Sequence, residues 1–203
     1  MTVGTRSVLF GAHAFWLHPF WVAVAWWRSY RFPWDPRFWV AFFVHDLGYI
    51  GCPNMDGPEG ERHVELGARI MRAIFGEPWG SFTAAHSRYW AKRNRSQVSR
   101  LCVADKLAFV LIPAWLYLPM ARATGELSEY MLPAEERQAG SAHFTERESR
   151  QLRSPDAGEW LDGLKNYARR WIEQHRNGCE DTWTVTGSVV ASNETQAGTA
   201  WAG

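Results

Sequence analysis

Apolar side chains recur along this chain at three- and four-residue spacing, the period of a helix, and no alternating run long enough for a sheet appears before residue 180. His18 to Tyr30 carries apolar residues packed closely enough to be buried on most faces. Asp35 followed by Pro36 reads as an N-cap and a proline at the first helical position. The spacing then predicts a helix through Phe38, Val40, Phe43 and Val44, with Gly48 closing it. Gly51, Pro53, Asn54, Asp56, Gly57 and Pro58 crowd turn formers into a loop. Glu61 to Phe75 is amphipathic, with Val64, Ala68, Met71 and Phe75 at helical spacing and Gly76 as its stop. A shorter helix is expected around Ser81 to Trp90. Another is expected from Arg95 to Ile112, with Leu101, Ala104, Ala108 and Leu111 on one stripe before Pro113.

Beyond Pro133 the pattern changes. Ala134 to Pro155 is charged and poor in aliphatic residues, as a solvated helix-loop region or a mobile flap would be. Asp156 and Glu159 resemble a capping box that opens a last helix through Trp160, Leu164, Tyr167 and Trp171 to about Asn177. From Gly178 onward Ser, Thr, Gly and Ala dominate, which predicts a disordered or loosely attached tail. The reading is an all-α chain: one helical domain over 1–177, with its core at about 13–120, a helical extension at about 134–177, and a tail over 178–203.

Composition narrows the classes. The 203 residues carry 22 basic and 21 acidic side chains, net +1, so nothing points to a nucleic-acid polymer as partner. The 13 tryptophans imply either a thick core or an exposed aromatic surface, with a subunit interface and homo-oligomer as one use for it. Cys52, Cys102 and Cys179 are odd in number and lack a C-x-x-C spacing, so neither a disulfide framework nor a zinc-thiolate site is supported. A reducing, cytoplasmic setting is the simplest home. The nearly continuous apolar run from Val8 to Trp27 invites a membrane or signal reading, but His13, His18 and Pro19 interrupt it and no small-residue cleavage pattern follows. A buried core helix is the favoured reading.

The candidate chemistry lies in a series of histidines and aspartates: His18, His45-Asp46, His63, His86 and Asp105, each in a stretch that reads as helix. Helices that each point one or two such groups inward can close around two metal ions. Imidazole and carboxylate ligands without thiolates favour Mn, Fe, Co, Ni or Zn over Ca or Mg. Neighbouring residues on a helix point about 100° apart, yet His45 and Asp46 can serve one centre near a helix end. With its two oxygens, Asp46 could bridge two ions. His13 is a competing ligand, although a packed, hydrogen-bonded histidine is its more ordinary role. His143 and His175 lie in charged surroundings and read as surface residues.

Around the series, Arg88, Lys92, Arg93 and Arg95 follow His86 and could hold phosphate oxygens or form a solvated face. Arg88 is the best single candidate, and Lys106 follows Asp105 into the same region. The loop Asn54 to Glu59 lies between ligands. Asp56, Glu59 or Arg62 could contact substrate, or could fix the loop. Trp90, Trp115 and Tyr117 could stack on a base or pack in the core.

These segments resemble the HD superfamily of metal-dependent phosphohydrolases. His18-Pro-Phe-Trp-Val22-Ala23 looks like the first-helix motif, and Trp34 through His45-Asp46-Leu47-Gly48 looks like the signature helix. Ala104-Asp105-Lys106-Leu107 looks like the element with the last ligand. Glu61-Arg-His63-Val-Glu-Leu-Gly67-Ala-Arg-Ile70 is similar to the segment carrying a second-metal histidine in binuclear members such as HD-GYP phosphodiesterases, and Ala85-His86 occupies the other such position. The likeness spans about residues 13 to 120. It implies a helical bundle with two divalent transition-metal ions, one held by His18, His45, Asp46 and Asp105, the other by Asp46, His63 and His86. It further implies hydrolysis of a nucleotide or related phosphate ester. Asp46, Arg88 and Lys106 would act in catalysis, and Tyr49, Glu59, Arg62, Arg88, Lys92 and Arg93 would contact the substrate. Tyr49 departs from the family pattern, which often has lysine there, where it contacts phosphate or substrate. The same ligand set is similar to the mixed-valent diiron oxygenases of the superfamily, a second expectation. A non-catalytic nucleotide-binding module is a third.

Overall fold

The computed structural model describes residues 1–55, 59–131, 143–177, 181 and 183, and among these there are helices and turns but no strand. Thr2 caps α1 (Val3–Phe10), and the chain then turns at Gly11 before α2 (His18–Ser29). The apolar run from Val8 to Trp27 is therefore broken between two short helices. Asp35 caps α3 (Pro36–Val44) by accepting from the Arg37 amide at 2.9 Å, as its sequence signals. A 3-10 turn over Leu47–Tyr49 follows, and another over Gly60–His63 leads into α4 (Val64–Phe75), which Gly76 ends at φ 88°. α5 (Glu77–Ala84), α6 (Arg88–Arg93), α7 (Arg100–Leu111), α8 (Ala114–Thr124) and α9 (Glu126–Met131) complete the larger part. α10 (Glu146–Leu152), opened by a capping box of Thr145 and Glu148, and α11 (Ala157–His175) form the extension.

α2 packs along α7, α4 along α5, and α11 against both α7 and α10. Val22, Ala25 and Trp26 of α2 meet Ala41 and Phe42 of α3, Met71 of α4, and Leu101, Ala104 and Ala108 of α7 in the main core. Small residues at Ala25, Ala104 and Ala108 let the backbones approach, and the aromatic rings fill what remains. Each fully buried ring such as Phe42 contributes about 1.5–3 kcal/mol relative to exposure. A second cluster joins Cys102 and Val103 of α7 to Trp171 and Ile172 of α11 and to Trp183.

Several boundaries differ from the sequence reading. The helix carrying His45 ends at Val44, earlier than Gly48. The segment expected to run from Ser81 to Trp90 is two helices, with His86 in the turn between them. The helix expected from Arg95 begins only at Arg100, and Arg95 itself is left-handed at φ 52°. His175 is buried, stacked on Trp171 with ring centres 4.5 Å apart, and is not a surface residue. His143 is half-buried against Trp183.

The tryptophans divide: Trp26, Trp160, Trp171 and Trp183 are buried, whereas Trp16, Trp27, Trp34 and Trp115 are exposed. Trp115 is 75 % exposed and so does not pack in the core. The expected tail is corrected at two positions, since Asp181 and Trp183 are buried. The rest of 178–203, Asp56, and residues 134–142 lie outside the described residues. Among the described residues no single helix is long and apolar enough to cross a membrane. α7 and α8 reach that length only together, across a bend of 101°.

Candidate metal centre

The ligand series converges, and mostly from helix ends. His18 is the first residue of α2, His45 and Asp46 follow directly on α3, His63 closes the 3-10 turn before α4, and His86 lies in the turn after α5. Only Asp105 sits inside a helix, α7. Helix ends suit the task because their backbone can bend to aim a side chain, and adjacent residues such as His45 and Asp46 can then face one point.

Two glycines make the convergence possible. A Cβ on Gly67 would lie 2.5 Å from the Val44 carbonyl oxygen, and one on Gly48 would lie 1.9 Å from that of His63. Both distances are forbidden to any side chain, so these positions let α4 and its entry turn close directly onto the His45-Asp46 segment.

The six side chains form two groups that share Asp46: His18, His45, Asp46 and Asp105, then Asp46, His63 and His86, with ligand atoms in each group within 4.8 Å of one another. In the first, His18 Nε2 lies 3.3 Å from His45 Nε2, 3.1 Å from Asp105 Oδ1 and 3.3 Å from Asp46 Oδ2. His45 Nε2 is 3.1 Å from the same Asp46 oxygen. In the second, His63 Nε2 and His86 Nε2 are 3.0 Å apart and lie 3.8 and 3.4 Å from Asp46 Oδ1. The two carboxylate oxygens of Asp46 thus serve different groups.

Local hydrogen bonds set the tautomers. Nδ1 of His45 lies 2.9 Å from the Phe42 carbonyl, that of His63 2.6 Å from Gly60, and that of His86 2.6 Å from Thr83, each three residues back. An Nδ1–H donating to a carbonyl leaves Nε2 as a lone pair, the form that binds a metal. Three lone pairs and two carboxylates therefore crowd together. Asp46 Oδ2 is buried yet accepts no hydrogen bond. A cation, being non-directional, satisfies what a hydrogen bond here does not. The spacing also fits: bonds of ~2.1 Å at right or tetrahedral angles place adjacent ligand atoms about 3.0–3.4 Å apart.

The electrostatics ask for positive charge. Burial alone would raise Asp46 and Asp105. The imidazoles of His45 and His86 around Asp46, and Lys106 with His18 and His45 around Asp105, outweigh it and hold both carboxyls well below the usual range. Burial would lower His45, but Asp46 and Asp105 outweigh it and push it up to about 10, so a metal ion would take the place of the proton that Nε2 otherwise carries. His63 is pushed down to about 3 by burial and by the neighbouring His86. His18 is lowered, chiefly by burial.

The surrounding residues divide. Tyr49 stacks flat on His63, ring centres 4.2 Å apart and 5° from parallel, and burial followed by the field of Asp46 keeps it a phenol. Lys106 lies 2.9 Å from Asp105 Oδ2, which leaves Oδ1 turned to His18. Arg88 donates from Nε to Asp181 Oδ2 at 3.0 Å and from its terminal nitrogens to the Tyr167 hydroxyl at 3.2 Å. Lys92 donates to the Asp181 carbonyl at 3.2 Å. Arg62 pairs with Glu65 in solvent, and Glu59, Arg93 and Arg95 are exposed; none of the four lines the cavity described below.

His13 has the hydrogen-bonded role that the sequence reading gave as its more ordinary one, and Glu61, Glu126 and Asp181 escaped that reading. His13 is not a ligand in either group; its Nδ1 lies 2.8 Å from Ser7 Oγ and 3.4 Å from Glu126 Oε2. Glu61, two residues before His63, has a carboxyl raised by burial despite Lys106, with the Ser87 hydroxyl at 3.5 Å. The spacing from His63 was the available signal for Glu61, whereas Glu126 and Asp181 offered none. A cavity of about 360 Å³ opens on the first group through His18 and Asp105, and His13, Arg88, Lys106 and Tyr117 also line it.

Comparison of the chain with protein-family models, with curated proteins and with solved structures finds no match. The centre therefore stands on its own chemistry: a buried set of four imidazoles and two carboxylates that could hold metal ions.

Proposed function

We propose that this chain is a metal-dependent phosphohydrolase of the HD type, cleaving a phosphate ester. The observation that carries the reading is the Asp46 carboxylate, whose two oxygens face two separate ligand groups. Divalent ions of Mn, Fe, Co, Ni or Zn, held by His18, His45, Asp46 and Asp105 and by Asp46, His63 and His86, would lower the pKa of a water and neutralise charge on phosphoryl oxygens.

The chain's own residues do the rest. Asp46 fixes the separation of the two groups. The carbonyls of Phe42, Gly60 and Thr83 hold three imidazoles in the ligand tautomer. Lys106 orients Asp105, acting as a positioning residue, and brings a cation to the cavity wall. Arg88, fixed by Asp181 and Tyr167, presents a second cation on the wall, where guanidinium pairs well with a phosphoryl group.

The test is metal analysis on protein purified without chelator, followed by phosphate release from a panel of esters with Mn or Co under anaerobic conditions. Two ions per chain and released phosphate support the reading. Iron-dependent oxygen uptake with no phosphate release would replace it with the oxygenase reading.

A further inference from the structure

The cavity beside His18 and Asp105 has an unusual wall for an enzyme of nucleotides. Trp21 of α2, Phe109 and Ile112 of α7, Tyr117 of α8, and Trp160 and Leu164 of α11 make most of it. Apart from tyrosines and tryptophans, its polar side chains are His13, His18, Arg88, Asp105 and Lys106, so among the described residues no serine, threonine, asparagine, glutamine or glutamate faces the space.

Charge in the wall is already matched. Lys106 answers Asp105 at 2.9 Å, and Arg88 answers Asp181 at 3.0 Å. Among the described lining residues Arg88 and Lys106 are the cations, each shared with a carboxylate, so little positive charge remains for a second or third phosphate. The indole N–H groups of Trp21 and Trp160 are buried without partners, and their rings present carbon to the space. Ribose hydroxyls and base amino groups need acceptors, and among the described lining residues the one carboxylate is committed to Lys106 and the ligand group, which leaves only the tyrosine hydroxyls, that of Tyr167 already accepting from Arg88. Each hydroxyl buried unpaired weakens binding roughly ten-fold or more.

We propose that the substrate is a phosphomonoester of an apolar alcohol, with its single dianionic head at the His18–Asp105 end and an aryl or alkyl body among Trp21, Phe109, Trp160 and Leu164. The volume of about 360 Å³ lies at the small end of ligand pockets, which suits one ring or a short chain. The fate of the ester rests on the hydrolase reading; the recognition does not, and binding alone reads it.

The experiment is calorimetric titration of the full chain, supplied with Mn²⁺, using non-hydrolysable benzylphosphonate and hexylphosphonate alongside AMP, ATP and inorganic phosphate. Benzylphosphonate and hexylphosphonate should bind at least ten-fold tighter than AMP, ATP or phosphate. Leu164→Trp, which fills the chamber away from the ligand groups, should erase that preference while leaving metal content and inorganic phosphate affinity in place. AMP or ATP binding as tightly as the apolar phosphonates overturns the proposal, even if Leu164→Trp does not fold. Tight benzylphosphonate binding without hydrolysis of phenyl phosphate upholds the substrate class and removes the hydrolase reading. Hydrolysis of nucleotides and apolar esters at equal efficiency keeps the hydrolase and removes the class.

Discussion

His18 and Asp105 line the chamber, whereas His63 and His86 do not. Both groups are buried imidazole-carboxylate sets joined through Asp46, yet their surroundings differ. The first group is completed by α2 and α7, the helices that also form the chamber wall. The second comes from two turns, with Tyr49 laid flat over His63 and the backbone of Gly48 pressed against it. On the proposed hydrolase reading the two halves would do different work: the first would meet the substrate, and the second would hold an ion away from the chamber and supply charge through Asp46. It can be broken at the shared residue, at both ions together, or at one half alone.

The largest effect belongs to Asp46→Asn. Both groups lose their common anion, so bound metal should fall below one ion per chain and phosphate release should drop on the order of 1,000-fold. Elemental analysis beside a phosphate assay reads both. A variant that keeps two ions and its turnover removes Asp46 as the bridge.

Stripping both ions with chelator should come next. The remaining lone pairs of His45, His63 and His86 would face Asp46 and one another without a cation, and the native state loses the binding contribution. At a free metal concentration of 1,000 times Kd that contribution is about 4 kcal/mol for each ion and about 8 kcal/mol for the pair, which lowers the melting temperature of a chain this size by roughly 20 °C. An unchanged melting curve after complete removal would show that metal does not bind the native centre.

His63→Ala and His18→Ala separate the halves. His63→Ala should leave one ion, in the chamber-side group, and cut turnover roughly 10- to 100-fold while benzylphosphonate still binds. His18→Ala should damage both metal retention and ligand binding. Equal loss of ligand affinity in the two variants would erase the distinction between chamber side and closed side.

The ligand residues were legible because their signals are local. His45-Asp46 adjoins a capped helix, His63 opens an amphipathic one, and each tautomer is set by a carbonyl three residues back. What escaped was built from long-range packing. The chamber draws Trp21, Phe109, Tyr117 and Trp160 from four helices, and no spacing in the chain announces that they meet. His175 has charged neighbours in sequence, but its place four residues after Trp171 turns it to the inner face of α11. Asp181 and Trp183 are hidden in a stretch whose composition reads as tail, since two anchoring side chains do not change an average.

The smallest effect tests that hidden anchor. Asp181 Oδ1 accepts from Trp171 Nε1 at 3.1 Å and from the Trp183 amide at 3.0 Å, while Oδ2 receives Arg88. It is 3 % exposed, so its charge is compensated chiefly by Arg88. Asp181→Asn keeps the shape and one acceptor but leaves Arg88 on the chamber wall without its counter-ion. The expected loss is about 1–3 kcal/mol of stability, with metal content unchanged and phosphate-ester affinity raised, because the freed guanidinium can turn to the ligand. A fall in metal content instead would tie residue 181 to the ligand groups. No change in stability would mean that Arg88 does not depend on Asp181, and the contrast between an anchored chamber wall and a self-contained second group would have to be drawn elsewhere.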